Sequence, residues 1–183
     1  KSLGPAYKVV PFAQKPVPLD FDGDGGMFAY EGKRYAAKIA DIIRAQPGYS
    51  KAGDVDAYVV VLPGGWVLMG RERLSFGLGF FRTFFSYDDK TPKGQGTYVL
   101  HALYYVMVLD GHSLEMIAGD AARDEDDSYG LLKGHPGAYV GPEYWAPTFD
   151  ALKPQQREKL TAALKTYIGD SMPPTLEKLG LIP

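Results

Sequence analysis

One segment of the chain, residues 95–118, constrains the fold more than any other. Gln95–Leu109 is a long, largely apolar and aromatic run, Asp110-Gly111-His112-Ser113 has the composition of a tight turn, and Leu114–Ala118 is largely apolar again. β-branched and aromatic residues on both sides of such a turn favour two antiparallel strands. The segment therefore predicts a long β-hairpin, around which the sheet of this chain has to be built.

Helical periodicity flanks the hairpin on both sides. In Lys33–Gln46 the apolar residues recur at intervals of about one turn, and Pro47-Gly48 follows them. Pro154–Ile168 has a similar apolar stripe, with Gly169 after its end. We predict one helix in each range, and a separate short helix over Pro173–Leu179.

Three further segments predict strands. Ala6–Phe12 is a short first strand, and Asp56–Pro63 is a β-branched run that predicts a central strand buried on both faces. Leu74–Tyr87 alternates, and its glycines Gly77 and Gly79 indicate a bulge or a close backbone approach. The predicted fold class is α+β (mixed α/β) in a single domain, residues 1–183. Its sheet is mostly antiparallel or mixed, with a long central hairpin and with helices packed on one face.

Charge and composition exclude several classes of protein. The 183 residues include 20 Lys+Arg and 22 Asp+Glu, a net charge of −2, so no excess of positive charge indicates a nucleic-acid partner. No apolar run reaches the roughly 18 residues of a transmembrane helix. Cysteine is absent, which excludes disulfides, thiol nucleophiles and zinc–thiolate sites. Since the chain starts at Lys1, without a targeting segment, we expect it to be a processed product.

An acidic, glycine-containing segment near the start predicts a Ca²⁺ site. It satisfies the spacing D-x-D-x-D-G-x5-E at every specified position, with its acids and glycines at Asp20, Asp22, Asp24, Gly25 and Glu31. Carboxylates at loop positions 1, 3 and 5 converge on the ion, glycine at position 6 permits the turn, and glutamate at position 12 binds through both oxygens. The carbonyl at position 7, that of Gly26, completes the predicted set of metal ligands.

These residues resemble the EF-hand calcium loop, and the resemblance covers residues 20–31 alone. Prolines before the loop exclude an entering helix, and Gly32 interrupts the start of an exiting one. In the alternative interpretation, Phe28–Tyr35 forms a tight hairpin turning at Glu31-Gly32, and Asp20–Gly26 is an acidic loop before it. Both interpretations stay open at this point, and a bound ion would stabilise the loop ahead of the first helix.

A hydrolase is the alternative function that the sequence offers. Asp124–Asp127 and His135 lie in a long acidic, turn-rich stretch, residues 120–147, where acid/base groups could meet. The stretch is equally consistent with a solvated loop, and no G-x-S-x-G element supplies a serine nucleophile. His101 falls inside the long strand, where a packed or edge-facing histidine is expected rather than a catalytic one, and His112 falls in the hairpin turn.

Aromatic residues suggest binding. The rings between residues 76 and 87 fall on both faces of the predicted strand, which fits either a sheet covered on both sides or an exposed patch for a partner. They are Phe76, Phe80, Phe81, Phe84, Phe85 and Tyr87. A third interpretation is a small-ligand site lined by Trp66 and Trp145, which burial of both rings in the core would exclude.

The strand at 56–61 and the hairpin at 102–118 resemble the core of bacterial envelope lipoprotein domains. Examples are the curli-secretion protein CsgG, the TolB amino-terminal domain and the penicillin-binding-protein activator LpoB. Their recurrent strand-end pattern Asp-x-x-(Thr/Ser)-x-Glu is matched by Asp110, Ser113 and Glu115, and the resemblance covers about residues 55–120. It implies an envelope domain that binds other proteins, and it implies no catalytic residue.

We therefore expect a non-enzymatic, extracytoplasmic bacterial protein, periplasmic or secreted, that acts as a protein-interaction or binding module. Its expected partner is a protein or a cell-envelope component, and its expected cofactor is a structural Ca²⁺ held by the loop at residues 20–31.

Overall fold

The computed structural model describes residues 8, 28–47, 49, 55–68, 72–82, 98–122 and 137–183. Two helices, eight strands and two single-turn 3-10 helices lie in these ranges. In chain order they are α1 (Phe28–Arg44), β1 (Ala57–Pro63), β2 (Gly65–Leu68), β3 (Glu72–Phe76), β4 (Leu78–Arg82), β5 (Tyr98–Ala102), β6 (Tyr104–Asp110), β7 (Met116–Ala121), β8 (Gly137–Val140), the 3-10 helices Pro142–Tyr144 and Phe149–Ala151, and α2 (Pro154–Lys178).

The α+β class and the central hairpin are confirmed. Every described strand pair is antiparallel, in the orders β1-β6-β7, β2-β3 and β4-β5-β8. β6 and β7 form the predicted hairpin, with Leu109 opposite Met116 and Tyr105 opposite Ala121. The predicted strand over 95–109 is interrupted, however, because Leu103 separates β5 from β6. Within the described residues, no helix combines the length and apolar character needed to cross a membrane.

A three-strand junction divides the sheets at Gly64, Gly77 and Leu103. Gly64 N–H donates to Leu103 O (2.9 Å), Leu103 N–H donates to Gly77 O (2.9 Å), and Gly77 N–H donates to Gly64 O (2.8 Å), which closes a ring of backbone hydrogen bonds. Each of the three segments changes its pairing partner at the junction. In residues 57–68, β1 pairs with β6 and β2 pairs with β3; in residues 72–82, β3 pairs with β2 and β4 pairs with β5. In residues 98–110, β5 pairs with β4 and β6 pairs with β1. Where the sequence predicts a bulge or a close backbone approach, Gly77 separates β3 from β4.

The junction depends on two glycines for different reasons. Gly77 has φ +67°, in the left-handed region that side chains disfavour. A Cβ at Gly64 would lie 3.1 Å from the backbone of Tyr104, so the strands approach too closely for a side chain there. These two positions let the three segments meet and separate again.

The prediction that β1 is a central strand buried on both faces is wrong. Among the described strands it pairs with β6 alone, and its burial alternates. Tyr58 and Leu62 are buried, whereas Val59 is 40% and Val61 53% exposed. A run of β-branched residues is compatible with a strand buried on one face as well as with a strand buried on both. Its composition therefore does not show whether the second face is covered.

α1 covers the face of β6 that carries Tyr105, Met107 and Leu109. Ala36, Ile39, Ala40 and Ile43 pack there, the period expected of an amphipathic helix. The helix begins at Phe28, so the alternative of a hairpin over Phe28–Tyr35 is wrong, and helix continues through Gly32. Extending a helix whose later turns are already packed requires no new helix nucleation. The unfavourable helix propensity of one glycine therefore does not end the helix.

α2 is one continuous helix, so the predictions of a stop at Gly169 and of a separate helix over 173–179 are wrong. It runs through Pro173 and Pro174, because tertiary packing outweighs the hydrogen bonds that prolines remove. Leu160 lies in a cluster with Leu100 and Ala146, while Leu176 lies in a cluster with Tyr104 and Val106. α2 therefore packs against both three-stranded sheets.

The two helices lie on opposite faces of β6, rather than on one face as the sequence analysis expects. α1 contacts the cluster that contains Tyr105 and Met107, and α2 contacts the cluster that contains Tyr104 and Val106. Because side chains of a strand alternate between its faces, odd and even positions of β6 point to different layers. All but the last residue of β6 are buried for this reason.

Candidate binding cleft

The antiparallel strand pair β4–β5 is called the β4–β5 arm below. A largely apolar cleft of about 420 Å³ lies between this arm, the segment 141–152 and α2. A volume of this size is in the range of small-molecule sites, about 300–1,000 Å³. Its walls come from four parts of the chain that are distant in sequence. The lining residues are Leu78, Gly79, Phe80, Leu100, Trp145, Ala146, Pro147, Thr148, Phe149 and Leu164.

The floor of the cleft follows from strand register. Phe80 pairs directly with Leu100, so the two side chains share one face of the sheet, and Leu78 lies two residues from Phe80 on that face. Leu100 and Leu160 are buried together, with Phe80 and Leu164 packed against them. The alternation in β4 and the apolar stripe of α2 thus meet to form one wall and the floor.

The opposite wall is segment 141–152, which has little regular structure and is fastened to α2. Gln156 Nε2 donates a hydrogen bond to Glu143 O (2.5 Å), and Gln156 Oε1 accepts one from Lys153 N–H (2.9 Å). An ion pair joins Arg157 Nη1 and Asp150 Oδ1, which are 3.6 Å apart. Pro142 and Pro147 limit the conformations of this segment. The first turn of α2 therefore holds the aromatic residues of the segment over the sheet.

Two rings contact Trp145, those of Phe80 and Tyr98. Phe80 stands nearly perpendicular to it, at 83° with the ring centroids 5.7 Å apart, and Tyr98 lies closer to parallel, at 31° and 4.9 Å. Despite these contacts Trp145 is 46% exposed, and two other large apolar side chains of the lining are also exposed, Leu78 at 56% and Phe149 at 42%. Large apolar side chains so exposed around one concavity are typical of a binding surface.

Among the residues that the structure describes, those lining the cleft carry no titratable side chain. Their hydrogen-bonding capacity comes from the Thr148 hydroxyl and the Trp145 indole N–H. A second hollow of about 490 Å³ adjoins Phe149, and its lining includes charges of both signs, from Asp150, Arg157, Glu158 and Lys165. The apolar cleft and the charged hollow share the Phe149 ring as a partition.

His101 lies on the other face of the β4–β5 arm from the cleft. It neighbours Leu100 in β5, so its side chain points the opposite way, and it is 2% exposed. Its Nδ1 lies 2.9 Å from Gly77 O, and because a carbonyl only accepts, Nδ1 carries the proton. Burial lowers the pKa of His101 to about 4, and the hydrogen bond to Gly77 opposes the shift. As predicted, this histidine is packed; it stabilises the three-strand junction.

The hairpin pattern Asp110, Ser113 and Glu115 has a local structural role. Asp110 Oδ1 accepts from His112 N–H (2.9 Å) and Ser113 N–H (2.7 Å), and Ser113 Oγ accepts from Glu115 N–H (3.1 Å). The hydrogen bonds from Ser113 and His112 lower the pKa of the Asp110 carboxyl. His112 lies in the turn, as predicted, and is exposed. The pattern thus stabilises the turn, and these hydrogen bonds indicate no catalytic or binding role for it.

Most of the other predicted site residues lie outside the described ranges. These are the proposed metal ligands Asp20, Asp22, Asp24 and Gly26, the acidic run Asp124–Asp127, and His135. Glu31 falls in the first turn of α1. Strand Ala6–Phe12, except Lys8, also lies outside, as do the side chains of all members of the predicted aromatic cluster except Phe80, namely Phe76, Phe81, Phe84, Phe85 and Tyr87. The described part of the chain contains no group of three or more His, Asp or Glu side chains arranged to hold a metal ion.

The sequence analysis found part of the cleft and missed the rest. It singled out Phe80 and Trp145, and Trp145 is exposed at the cleft, while the side chain of Trp66 lies outside the described part. It did not identify Leu78, Thr148, Phe149 or Leu164 as site residues. A usable signal was present in residues 142–149, where Tyr144, Trp145 and Phe149 stand in a proline-bounded segment without strand or helix periodicity.

Comparison of the chain with protein-family models, with curated proteins and with solved structures gave no match.

Proposed function

We propose that this protein is a non-enzymatic binding module whose site is the cleft around Trp145. The observation that carries the proposal is the group of exposed apolar side chains, Leu78, Trp145 and Phe149, surrounding a concavity of about 420 Å³. Covering these side chains with a ligand removes apolar surface from water, at about 25 cal/mol per Å². The site therefore gains most from an apolar group of its partner.

The chemistry of the lining supports binding rather than catalysis. General acid–base or nucleophilic catalysis needs a titratable or nucleophilic group within hydrogen-bond reach of the reacting atom. Among the described lining residues Thr148 alone has a hydroxyl, and no described base accompanies it in the lining. The buried histidine of the β4–β5 arm faces the other way.

The setting we propose is the bacterial envelope, periplasmic or secreted, with a protein or envelope component as the partner. This part of the proposal depends on the resemblance of residues 55–120 to envelope lipoprotein domains. The antiparallel β6–β7 hairpin is compatible with that resemblance, and its turn supplies a physical reason for the pattern of Asp110, Ser113 and Glu115.

Binding of a neutral fluorescent probe tests the cleft. N-phenyl-1-naphthylamine should bind the intact protein at one saturable site with increased emission, and Trp145→Leu should weaken the affinity about 10-fold by removing the largest wall. The matched control is Ile117→Ala, which removes a 61% exposed apolar side chain of β7. It should leave probe binding unchanged. Equal binding to all three proteins, or no saturable binding to any, would contradict the proposal, provided that all three melt at similar temperatures.

We also propose a structural Ca²⁺ in the loop at residues 20–31. In support, α1 begins at Phe28, position 9 of the loop, and carries position 12, Glu31, in its first turn. A helix directly after the loop is the arrangement that an EF-hand requires. The entering helix of that motif remains excluded by Pro16 and Pro18.

Calcium should raise the melting temperature of the intact chain, because an ion that binds the folded state stabilises it by mass action. Asp22→Ala should abolish the rise, whereas Asp126→Ala, an acidic residue of the other acidic run, should retain it. Scanning calorimetry with Ca²⁺, Mg²⁺ or EDTA measures both effects. Identical melting curves with Ca²⁺ and EDTA would contradict a structural site.

A further inference from the structure

We infer that this protein forms a two-fold symmetric dimer in which the outer edge of β1 pairs antiparallel with β1 of a second copy. The pairing would join the β1–β6–β7 sheets of the two copies into one continuous sheet. The inference goes beyond the proposed binding function, because none of the described residues that line the Trp145 cleft belongs to β1. It depends on the hydrogen-bonding pattern of β1, on its exposed side chains and on the positions of the two helices.

The backbone of β1 alternates between β6 and the outer edge of the sheet. At the two ends of the pairing, Gly64 N–H donates to Leu103 O and Gly111 N–H donates to Asp56 O, both at 2.9 Å. In an antiparallel ladder, pairs of residues that exchange hydrogen bonds alternate with pairs that do not. The even-numbered residues of β1 therefore bond to β6, and the odd-numbered residues direct their N–H and C=O groups away from it.

The outer edge of β1 is an unpaired row of backbone donors and acceptors within the described part of the chain. β1 pairs there with β6 alone, so the outward N–H groups of Ala57, Val59 and Val61 have no strand partner. Pro63, which has no N–H to donate, also stands at an outward position, where a proline is tolerated. Such a row is a template for another extended strand.

The two edges of the β1–β6–β7 sheet differ in how they resist pairing. Natural edge strands avoid association through bulges and charged side chains. β7 has both: Ile117 has no residue opposite it in β6, and Asp120 forms an ion pair with Lys178. β1 keeps a regular register with β6 along its whole length and contains no charged residue. Apart from Pro63 at its last position, β1 lacks these protective features.

Both helices lie toward β7 and leave β1 less covered. α1 makes its sheet contacts chiefly with β6 and β7, and the last turn of α2 is fastened to β7 by the ion pair of Lys178. Val59 and Val61 lie on the α2 face of the sheet, opposite Val108 and Val106, yet they remain 40% and 53% exposed. Two apolar side chains are thus left in water directly beside the unpaired backbone groups.

β1 complements itself about a two-fold axis that passes through Val60 perpendicular to the sheet. In this register Val59 of each copy lies opposite Val61 of the other, and each outward N–H meets a carbonyl of the facing strand. The axis keeps both copies of the exposed valines on one face, so the facing pairs remove apolar surface from water. Asp56 lies opposite Gly64 of the other copy, so no like charges meet. A second copy therefore satisfies the hydrogen-bonding, apolar and charge requirements of this edge.

Sedimentation equilibrium of the intact chain over a range of concentrations tests the inference. The unmodified protein should associate reversibly to a dimer. A like-charge variant, Val59→Lys combined with Val61→Lys, places lysines opposite lysines at both facing pairs and should weaken association about 30-fold. The two added charges change the net charge of the chain from −2 to zero. General repulsion between copies falls in this variant, so it does not account for a loss of association.

An opposite-charge variant tests the register itself. Val59→Lys combined with Val61→Glu places a cation opposite an anion at both facing pairs, and it should restore most of the association that the like-charge variant loses. The matched control is Ile117→Lys, at a 61% exposed position of β7, which should leave association unchanged. All of the replaced side chains are exposed, so the variants should melt at temperatures close to that of the unmodified protein.

Each outcome supports or overturns the inference. A dimer that the like-charge variant loses, and that the opposite-charge variant and Ile117→Lys retain, supports pairing of β1 with β1. A monomer at every concentration overturns it. A dimer that the like-charge variant retains, or that the opposite-charge variant does not restore, also overturns it. The proposed binding function is tested separately, because both β1 variants should bind N-phenyl-1-naphthylamine as the unmodified protein does.

Discussion

At the scale of single residues, the three-strand junction determines where the sheets divide. Gly64 and Gly77 permit the close approach and the positive φ that the ring of hydrogen bonds requires, and His101 adds a second donor to Gly77 O. Gly77 O therefore accepts from both Leu103 N–H and His101 Nδ1–H. A buried carbonyl with two donors fixes the backbone more strongly than either bond alone.

Gly64→Ala should lower the free energy of unfolding by about 1–3 kcal/mol, because the new methyl group would meet the Tyr104 backbone at 3.1 Å. The matched control is Gly169→Ala, where a Cβ meets nothing within 4 Å in the interior of α2. That change should stabilise the protein by about 0.5–1 kcal/mol through helix propensity. Urea unfolding measures both, and equal effects of the same sign would contradict the packing at the junction.

Acid should destabilise the protein through His101. Its pKa is about 4 in the folded chain and near 6.5 in the unfolded chain, so between these values the unfolded state binds more protons. The free energy of unfolding should therefore fall as the pH drops from 7 to 5, by about 2 kcal/mol from this group. Urea unfolding at both pH values measures the fall.

His101→Gln removes the titrating group and should flatten this pH dependence, even if the variant is less stable overall. His112→Gln, a change in the exposed hairpin turn, should leave it intact. A fall of the same size in His101→Gln would mean that other groups cause the acid effect.

At the scale of elements, α2 shows how packing overrides a local stop signal. Ser171 and Thr175 are buried on the helix face near its two prolines, and their hydroxyls donate to Tyr167 O (2.5 Å) and Ser171 O (2.7 Å). Ser171 Oγ also lies 2.7 Å from the Tyr104 hydroxyl. Because the serine proton is used on Tyr167 O, Tyr104 is the donor. Burial raises the pKa of Tyr104.

Ser171→Ala should lower the free energy of unfolding by about 1–3 kcal/mol, since it leaves a buried Tyr104 hydroxyl without its acceptor. Thr166→Ala is the matched control: its hydroxyl makes the same kind of bond, to Ala162 O at 3.2 Å, on an exposed part of α2. We expect its effect to stay within about 0.5 kcal/mol. A double-mutant cycle with Tyr104→Phe measures the coupling, and additive effects would contradict a direct hydrogen bond.

At the scale of the whole molecule, α2 connects the two three-stranded sheets. Its first half packs on Leu100 of the β4–β5–β8 sheet, and its second half packs on Val106 of the β1–β6–β7 sheet. The half-buried ion pair of Lys178 with Asp120 fastens its last turn to β7. The negative charge of Asp120 adds to burial in raising the pKa of Tyr105. A helix shared in this way should couple the stability of both sheets.

Leu160→Ala and Leu176→Ala should each lower the free energy of unfolding by about 2–5 kcal/mol, since both side chains are 3% exposed. Each variant should still unfold in a single transition, with far-ultraviolet circular dichroism and tryptophan fluorescence coinciding. Ile117→Ala, at an exposed position, should change stability by no more than about 0.5 kcal/mol. Two separated transitions in either leucine variant would show that α2 does not couple the sheets.

Much of the secondary structure could be predicted from local patterns, but its pairing could not. The stripe in Lys33–Gln46, the start of α2 at Pro154 and the β6–β7 hairpin follow from periodicity and turn chemistry, which act within a few residues. The wrong predictions concern β1, the passage of α2 through Pro173 and the side taken by each helix. All of these depend on contacts between segments far apart in the sequence.

The candidate site divides in the same way. Trp145 was identifiable because a large ring in a proline-bounded segment has no obvious place in a core, but its neighbours were not. Leu78, Thr148 and Leu164 are ordinary residues of a strand, a loop and a helix, and only the register of β4 with β5 and the position of α2 bring them to one cleft.

The sequence by itself determined which residues form the hairpin, where the helical stripes lie and that charge and cysteine chemistry exclude whole classes of protein. Only the tertiary structure decided that three segments exchange partners at Gly64, Gly77 and Leu103, and that Trp145 stands over Phe80. The physical reason is that alternation records which side of an element is apolar, but not which distant surface covers that side. That choice is made by packing and register across the whole chain.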